Sequence, residues 1–173
     1  INRLKIDNIK VIKTNCPPKD VEIRFTKSEK HAYKNISTCI LDDRKPSLVL
    51  SYSNKPLKYY GEQKIVMAHK MYGFPFIDRE GEFGVGNRDN YVIIKENYND
   101  LIKLQKFLST RTALYLFEAT RYRMKYLEKY AFELIPDISL LKDFPKIIND
   151  NTIAEYFGLD EEDKRHIKNL HKR

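Results

Sequence analysis

Alternating apolar and polar residues predict strands in the first half of the chain. Val21–Phe25 alternates with a period of two, which is typical of a half-buried strand. Ser47–Tyr52 is a second strand candidate, bounded on both sides by turn residues. Thr38–Leu41 is a short apolar run, whereas Lys27–Asn35 is polar and predicts a loop. This half of the chain is therefore expected to form sheet.

The stretch from Gly61 to Ile94 contains the strongest strand signals. Lys64–Met67 and Tyr91–Ile94 are short runs rich in β-branched residues, which favour buried strands. Phe83 and Val85 alternate with small residues between them and predict the edge of a hairpin. Gly81, Gly84 and Gly86 surround these two residues, but no Lys-Ser/Thr or helix start follows them, so their spacing indicates a tight turn and not a phosphate-binding loop.

The period changes to a helical one from Asn97 onward. Leu101, Leu104 and Leu108 recur at helical spacing, with Asn99 as the predicted N-cap, and Ser109-Thr110 interrupts the helix. A longer second helix is predicted to run on until Pro136. Its apolar stripe consists of Ala113, Phe117, Thr120, Met124, Leu127 and Ala131.

Two short helices are predicted to close the chain. Thr152 and Glu155 have the spacing of a capping box before a helix that ends at Gly158, and Asp160 caps a last helix running toward His171. Strands first and helices last indicate the α+β class. We therefore predict a mixed or antiparallel sheet in residues 1–96, packed with a helical part in residues 97–173.

Length and composition indicate a single domain. The 173 residues can bury a core, and no apolar run is long enough to cross a membrane. Cys16 and Cys39 do not form a CxxC pair, and the four histidines lack the spacing of metal ligands, so we predict no disulfide framework and no metal site. A reducing, cytoplasmic setting fits best. Because the first residue is Ile1, we expect a fragment of a longer chain.

The net charge of +8 and the pI near 9.3 favour an anionic partner, most commonly nucleic acid. Loops around residues 69–90 and the predicted long helix carry side chains that donate to phosphates and base edges. The predicted DNA-binding residues are Lys64, His69, Lys70, Tyr72, Arg79, Asn87, Arg88, Asn90, Arg111, Arg121, Lys125 and Lys129.

Several of these segments resemble one protein family. The stretch from residue 46 to residue 160 is similar to the DNA-recognition domain of N6-adenine DNA methyltransferases of restriction–modification systems. Leu101–Phe117 resembles the leucine-rich helix pair of those domains. The other matching motifs are Gln63–Met67, Phe74–Asp78, Gly81–Gly84, Tyr91–Ile93, Ile135-Pro136-Asp137 and Asp143-Phe144-Pro145.

The resemblance implies sequence-specific binding of double-stranded DNA without chemistry in this fragment. The family places its catalytic domain before the recognition domain, and that domain carries an Asn-Pro-Pro-Tyr motif and a Gly-rich cofactor loop. Neither occurs here, since the only Pro-Pro pair is Pro17-Pro18 after Cys16. We therefore expect no catalytic residue and no cofactor in this fragment. The parent enzyme would bind S-adenosylmethionine in a methyltransferase domain of the same chain.

Two alternatives from other classes remain open at this point. Asp137, followed by Glu162 and Lys164, mimics the acidic pattern of a magnesium-dependent nuclease. However, residues 161–164 are predicted to form the first turn of a helix, where acidic residues are favoured by the helix dipole. The other alternative is a basic protein-interaction module that binds no nucleic acid.

Overall fold

A computed structural model of the chain describes residues 6–42, 45–69, 74–120 and 126–170. The strands are β1 (Ile12–Lys13), β2 (Ile23–Arg24), β3 (Tyr33–Asp42), β4 (Lys45–Ser53), β5 (Lys64–Ala68), β6 (Pro75–Asp78), β7 (Gly84–Val85) and β8 (Asn90–Ile93). The α-helices are α1 (Tyr98–Leu108), α2 (Arg111–Ala119), α3 (Asp150–Phe157) and α4 (Glu161–Asn169). Short 3-10 helices span Lys129–Leu134 and Ile138–Leu140. The predicted α+β class is confirmed.

The strands form two four-stranded sheets. The central sheet has the order β1-β8-β5-β6 and is antiparallel throughout. The outer sheet has the order β2-β4-β3-β7, in which only the β3–β7 pairing is parallel. The segment around Val85 therefore does not form the predicted hairpin edge. It joins β3 as a parallel partner, a long-range pairing that local alternation cannot reveal.

The central sheet is covered on both faces, and the side chains of β5 show how. Ile65 and Met67 belong to the core shared with the helices, whereas Val66 between them belongs to the core shared with the outer sheet. Because side chains alternate along a strand, a strand buried on both faces is apolar throughout. This explains why the run from residue 65 to residue 68 is apolar without polar alternation.

Helix α1 follows the predicted leucine pattern, with Leu101 and Leu104 fully buried. Its N-cap is Asn97, whose side chain accepts from the backbone amide of Asn99, so the predicted cap is two residues too late. The predicted break is confirmed, because Ser109 ends α1 and Thr110 caps α2.

The predicted long second helix is wrong. Helix α2 ends at Ala119, and Thr120 is its C-cap. Leu127 and Ala131 are buried as the stripe predicted, but they lie in an irregular segment and a 3-10 helix. Apolar residues spaced by three or four therefore resembled a continuous helix, although the backbone reaches the same core by another path.

Other boundaries shift for local reasons. The predicted loop to Asn35 ends earlier, because β3 already begins at Tyr33. The capping box before α3 is formed by Asn149 with Thr152, so Thr152 is its third helical residue and not its cap. Gly158 ends α3 in the left-handed conformation as predicted.

The predicted strand at Val21–Phe25 is shorter in the structure, and the predicted cap of the last helix is confirmed. That strand shrinks to the two residues of β2, whereas Asp160 caps α4 as predicted. Helix α4 ends at Asn169, and His171 lies outside the described residues.

A buried ion pair joins the start of β5 to the end of β6. The ammonium of Lys64, fully buried, donates to the Asp78 carboxylate at 2.5 Å and to the carbonyls of Tyr59 and Glu62 at 2.9 and 3.0 Å. All three of its protons are thus used. Desolvation lowers the pKa of Lys64, and the hydrogen bond that its ammonium donates to Asp78 opposes that shift.

We predict that Lys64→Met lowers the free energy of unfolding by about 3–5 kcal/mol, because it leaves the Asp78 carboxylate buried without its cation. Urea denaturation measures this change. The control is Lys55→Met, which breaks an exposed pair with Asp20 and should change stability little. If both substitutions lowered the free energy of unfolding equally, the buried pair would matter no more for stability than the exposed pair.

Candidate nucleic-acid interface

Three chain segments meet at the end of the central sheet where β5 stops and β8 starts. The amide of His69, just after β5, donates to the carbonyl of Asp89 at 2.9 Å. The amide of Thr14, just after β1, donates to the carbonyl of Asn90 at 3.0 Å. The loop of residues 86–90 is therefore held between the ends of β1 and β5. We call this end of the central sheet the polar end.

The hydroxyl of Thr14 fixes the loop that leads into β8. It donates to the carbonyls of Asn87 and Asn90 at 2.6 and 3.0 Å, and it accepts from the Asn90 amide at 3.2 Å. The side-chain amide of Asn90 donates to the carbonyl of Ser37 and to Oδ1 of Asn87. Buried polar groups with several partners of this kind hold a loop in one conformation.

The same end of the sheet holds the ring of His69. The ring stacks on Tyr126, with centroids 4.9 Å apart and planes 10° apart, and meets the Tyr91 ring edge-on at 5.9 Å. Its Nε2 lies 3.7 Å from the carboxylate of Glu128. Burial, followed by the nearby charge of Lys13, lowers the pKa of His69. The imidazole is therefore neutral near pH 7.

Cations and amides at the polar end point to an anionic partner. Lys13 and Arg88 are exposed, and Asn87 is half-buried, with its Oδ1 accepting from the Asp89 amide at 2.8 Å. Ammonium and guanidinium groups bind phosphates, and guanidinium groups also bind the edge of guanine. Chemically, this arrangement can hold a polyanion.

The structure brings together four of the predicted site residues, His69, Asn87, Arg88 and Asn90. Asn90 is buried, so its amide orients the loop and does not face a partner. Lys64 needs correction, because its ammonium is buried and fully hydrogen-bonded at the opposite end of β5.

Arg79 also lies at that opposite end, directly after the Asp78 that pairs with Lys64. Its guanidinium lies 4.9 Å from the centre of the Tyr98 ring and pairs with Glu80 at 3.2 Å. A strand rises about 3.3 Å per residue, so β5 separates Arg79 from the polar end by more than ~10 Å. Arg79 and Arg88 therefore do not form one reading surface.

The predicted basic stripe is not one helical face. Arg111 donates to the carbonyl of Lys168 at 2.7 Å and so stabilises the end of α4. Lys129 lies in a 3-10 helix, beside a cleft of about 300 Å³ that is also lined by Lys10, Asp7 and Glu133. Lys70, Tyr72, Arg121 and Lys125 lie outside the described residues, so their DNA contacts stay predictions.

The residues of the nuclease alternative have other partners. Asp137 is buried, pairs with Lys95 and accepts from the Ser139 amide at 3.2 Å. Lys164 pairs with Glu161 on the exposed first turn of α4. Within residues 6–42, 45–69, 74–120 and 126–170, no group of three or more His, Cys, Asp or Glu side chains could hold a metal.

Sequence analysis missed Thr14 and Lys13. Both lie in the N-terminal segment, whose apolar spacing is ambiguous between helix and strand. Ile9 and Val11 are buried while Lys10 and Lys13 are exposed. An interpretation of this segment as a strand would have placed Lys13 at its end, but only the pairing with β8 shows which loop it adjoins.

Comparison of the chain with protein-family models, with curated proteins and with solved structures finds no match. No helix in the described part of the chain combines the length and the apolar character that a membrane span needs. The chemistry of the polar end and the net charge of the chain are therefore the features that bear on its function.

We predict that Thr14→Val destabilises the protein by about 1–3 kcal/mol, because the buried polar groups around its hydroxyl lose their partner. The Asn90 amide should also exchange its hydrogen faster. Chemical denaturation and hydrogen exchange measure these effects. Thr38→Val is the matched control, since Thr38 is half-buried on β3, and it should be nearly neutral. Unchanged exchange at Asn90 would contradict the role given to Thr14.

Proposed function

We propose that this chain binds double-stranded DNA and reads its sequence, as the target-recognition domain of an N6-adenine DNA methyltransferase or of a fused restriction–modification enzyme. The observation that carries the proposal is that two exposed cations lie at the polar end, Arg88 on the loop that Thr14 holds and Lys13 next to Thr14. The net charge of +8 and the motif resemblance support the same conclusion.

DNA recognition needs contacts to phosphates and contacts to base edges, and the polar end offers side chains for both. Cations that contact phosphates supply affinity and register but carry no base identity. Sequence is read by side chains that reach base edges, and a guanidinium pairs with the O6 and N7 atoms of guanine. A loop held in one conformation by Thr14 and Asn90 would present Arg88 at a fixed position, which base readout requires.

In the proposed function, methyl transfer takes place in another part of the parent enzyme. A catalytic methyltransferase domain of the same longer chain would bind S-adenosylmethionine and modify the adenine. This chain would select the target site. The support is the lack of the Asn-Pro-Pro-Tyr motif in the sequence, together with its resemblance to the recognition domain.

We predict that Arg88→Ala weakens binding to a selected duplex, whereas Arg79→Ala does not. If Arg88 reads guanine, discrimination between selected and random duplexes should fall by about 1–3 kcal/mol. If it binds a phosphate instead, the slope of log affinity against log salt should shrink by roughly 0.9 with little change in discrimination. Arg79→Ala is the control, because Tyr98 and Glu80 hold that guanidinium at the opposite end.

The measurement is selection from a pool of random-sequence duplexes, followed by titration of each variant across a salt series. Failure of the unaltered chain to bind any duplex at low salt would contradict the proposed function and favour a protein-interaction module. Equal loss of binding in both arginine variants would contradict the assignment of the interface to the polar end.

A further inference from the structure

His69 connects the two segments that form the polar end. Its amide donates to the Asp89 carbonyl of the loop at 2.9 Å, and its carbonyl accepts from the Leu127 amide at 2.8 Å. The hydroxyl of Tyr91 donates to the carbonyl of Leu127 at 2.8 Å and fixes that segment from β8. The backbone of His69 therefore links the loop of residues 86–90 to the segment around Leu127.

The ring itself lies in an environment that opposes a positive charge. Only 14% of the His69 side chain is exposed, and neither ring nitrogen has a hydrogen-bond partner among the described residues. Tyr91 and Tyr126 cover its edge and its face. Shielding from water disfavours the charged form of the ring, so this environment favours the neutral imidazole.

Three charged groups among the described residues act on the ring. Lys13 at the end of β1 disfavours the imidazolium, while Asp89 of the loop and Glu128 of the irregular segment favour it. The Glu128 carboxylate lies 3.7 Å from Nε2, but it is half-exposed and therefore partly screened by water. Burial has the largest effect on the pKa of His69 and these charges modify it, so a new charge near Lys13 would change it further.

We propose that binding of duplex DNA is coupled to the uptake of a proton by the His69 imidazole. The inference rests on the proposed function and adds a regulation of the same site by pH. A DNA phosphate beside Lys13 neutralises the cation that repels the imidazolium, and the negative potential of the duplex favours the charged ring. The imidazolium can then pair fully with the Glu128 carboxylate.

The sign of the coupling follows from linkage. In the free protein the pKa of His69 lies below its ordinary value, so the ring is neutral at pH 7. If DNA raises that pKa, the complex binds more protons than the free protein, and affinity rises as the pH falls through the range between the two values. The gain is at most about tenfold per pH unit, because one group binds one proton.

Calorimetric titration of the chain with a short duplex, in buffers of different ionisation enthalpy, counts the protons taken up on binding. Near pH 6.5, the ordinary pKa of histidine, we expect the unaltered chain to take up a fraction of one proton and His69→Gln to take up none. The matched control is His166→Gln, since His166 is 54% exposed on α4 and should leave proton uptake unchanged.

A second measurement does not depend on any variant folding. The NMR shift of the His69 ring proton, followed across pH with and without duplex, gives the pKa of this group in both states. A higher pKa in the complex supports the proposal, and an unchanged one overturns it. Binding with equal proton uptake in His69→Gln would also overturn it while leaving DNA recognition intact. A failure of the unaltered chain to bind duplex would instead remove the proposed function itself.

Discussion

The buried ammonium of Lys64 is the interaction on which the architecture depends most. It joins the first residue of β5 to the last residue of β6, and it also holds the carbonyls of Tyr59 and Glu62 in the preceding turn. The Asp78 carboxylate in turn accepts the amides of Glu82 and Phe83 at 3.0 and 3.1 Å, so the pair also fixes the turn that leads toward β7. One ion pair therefore aligns the strands and turns at one end of the central sheet.

Close backbone packing supports this end as well. Gly81 has a positive φ of 69°. Its carbonyl accepts a hydrogen bond from the amide of Gly61 at 2.8 Å, so the two backbones lie close together. A Cβ on Gly81 would lie 2.4 Å from the carbonyl carbon of Gly61. Only glycine fits there. Both faces of the sheet are covered and this end is filled by structural contacts, so the polar end is the candidate interface that we have described.

Local sequence patterns predicted the parts of the fold that local physics determines. The leucine spacing of α1, the break at Ser109-Thr110 and the caps at Gly158 and Asp160 each depend on residues a few positions apart, and all are present. The parallel pairing of β3 with β7 joins residues about fifty positions apart, and the residue pattern around Val85 does not predict this pairing. The end of α2 was missed because Leu127 and Ala131 contact the same core from an irregular segment and a 3-10 helix, not from a continuation of α2.

In the candidate site, too, residue type alone was not enough to predict which side chains are available to a partner. Lys64 and Arg88 are both cations within one polar stretch, and residue type alone predicted DNA contact for each. Their surroundings distinguish them, since Lys64 is enclosed by three oxygen acceptors whereas Arg88 is exposed on a loop held by Thr14. His69 is intermediate, because its ring is shielded but its nitrogens form no hydrogen bond with any described residue. A partly shielded group of this kind can change its charge when a partner arrives, which neither a fully paired nor a fully exposed group does as strongly.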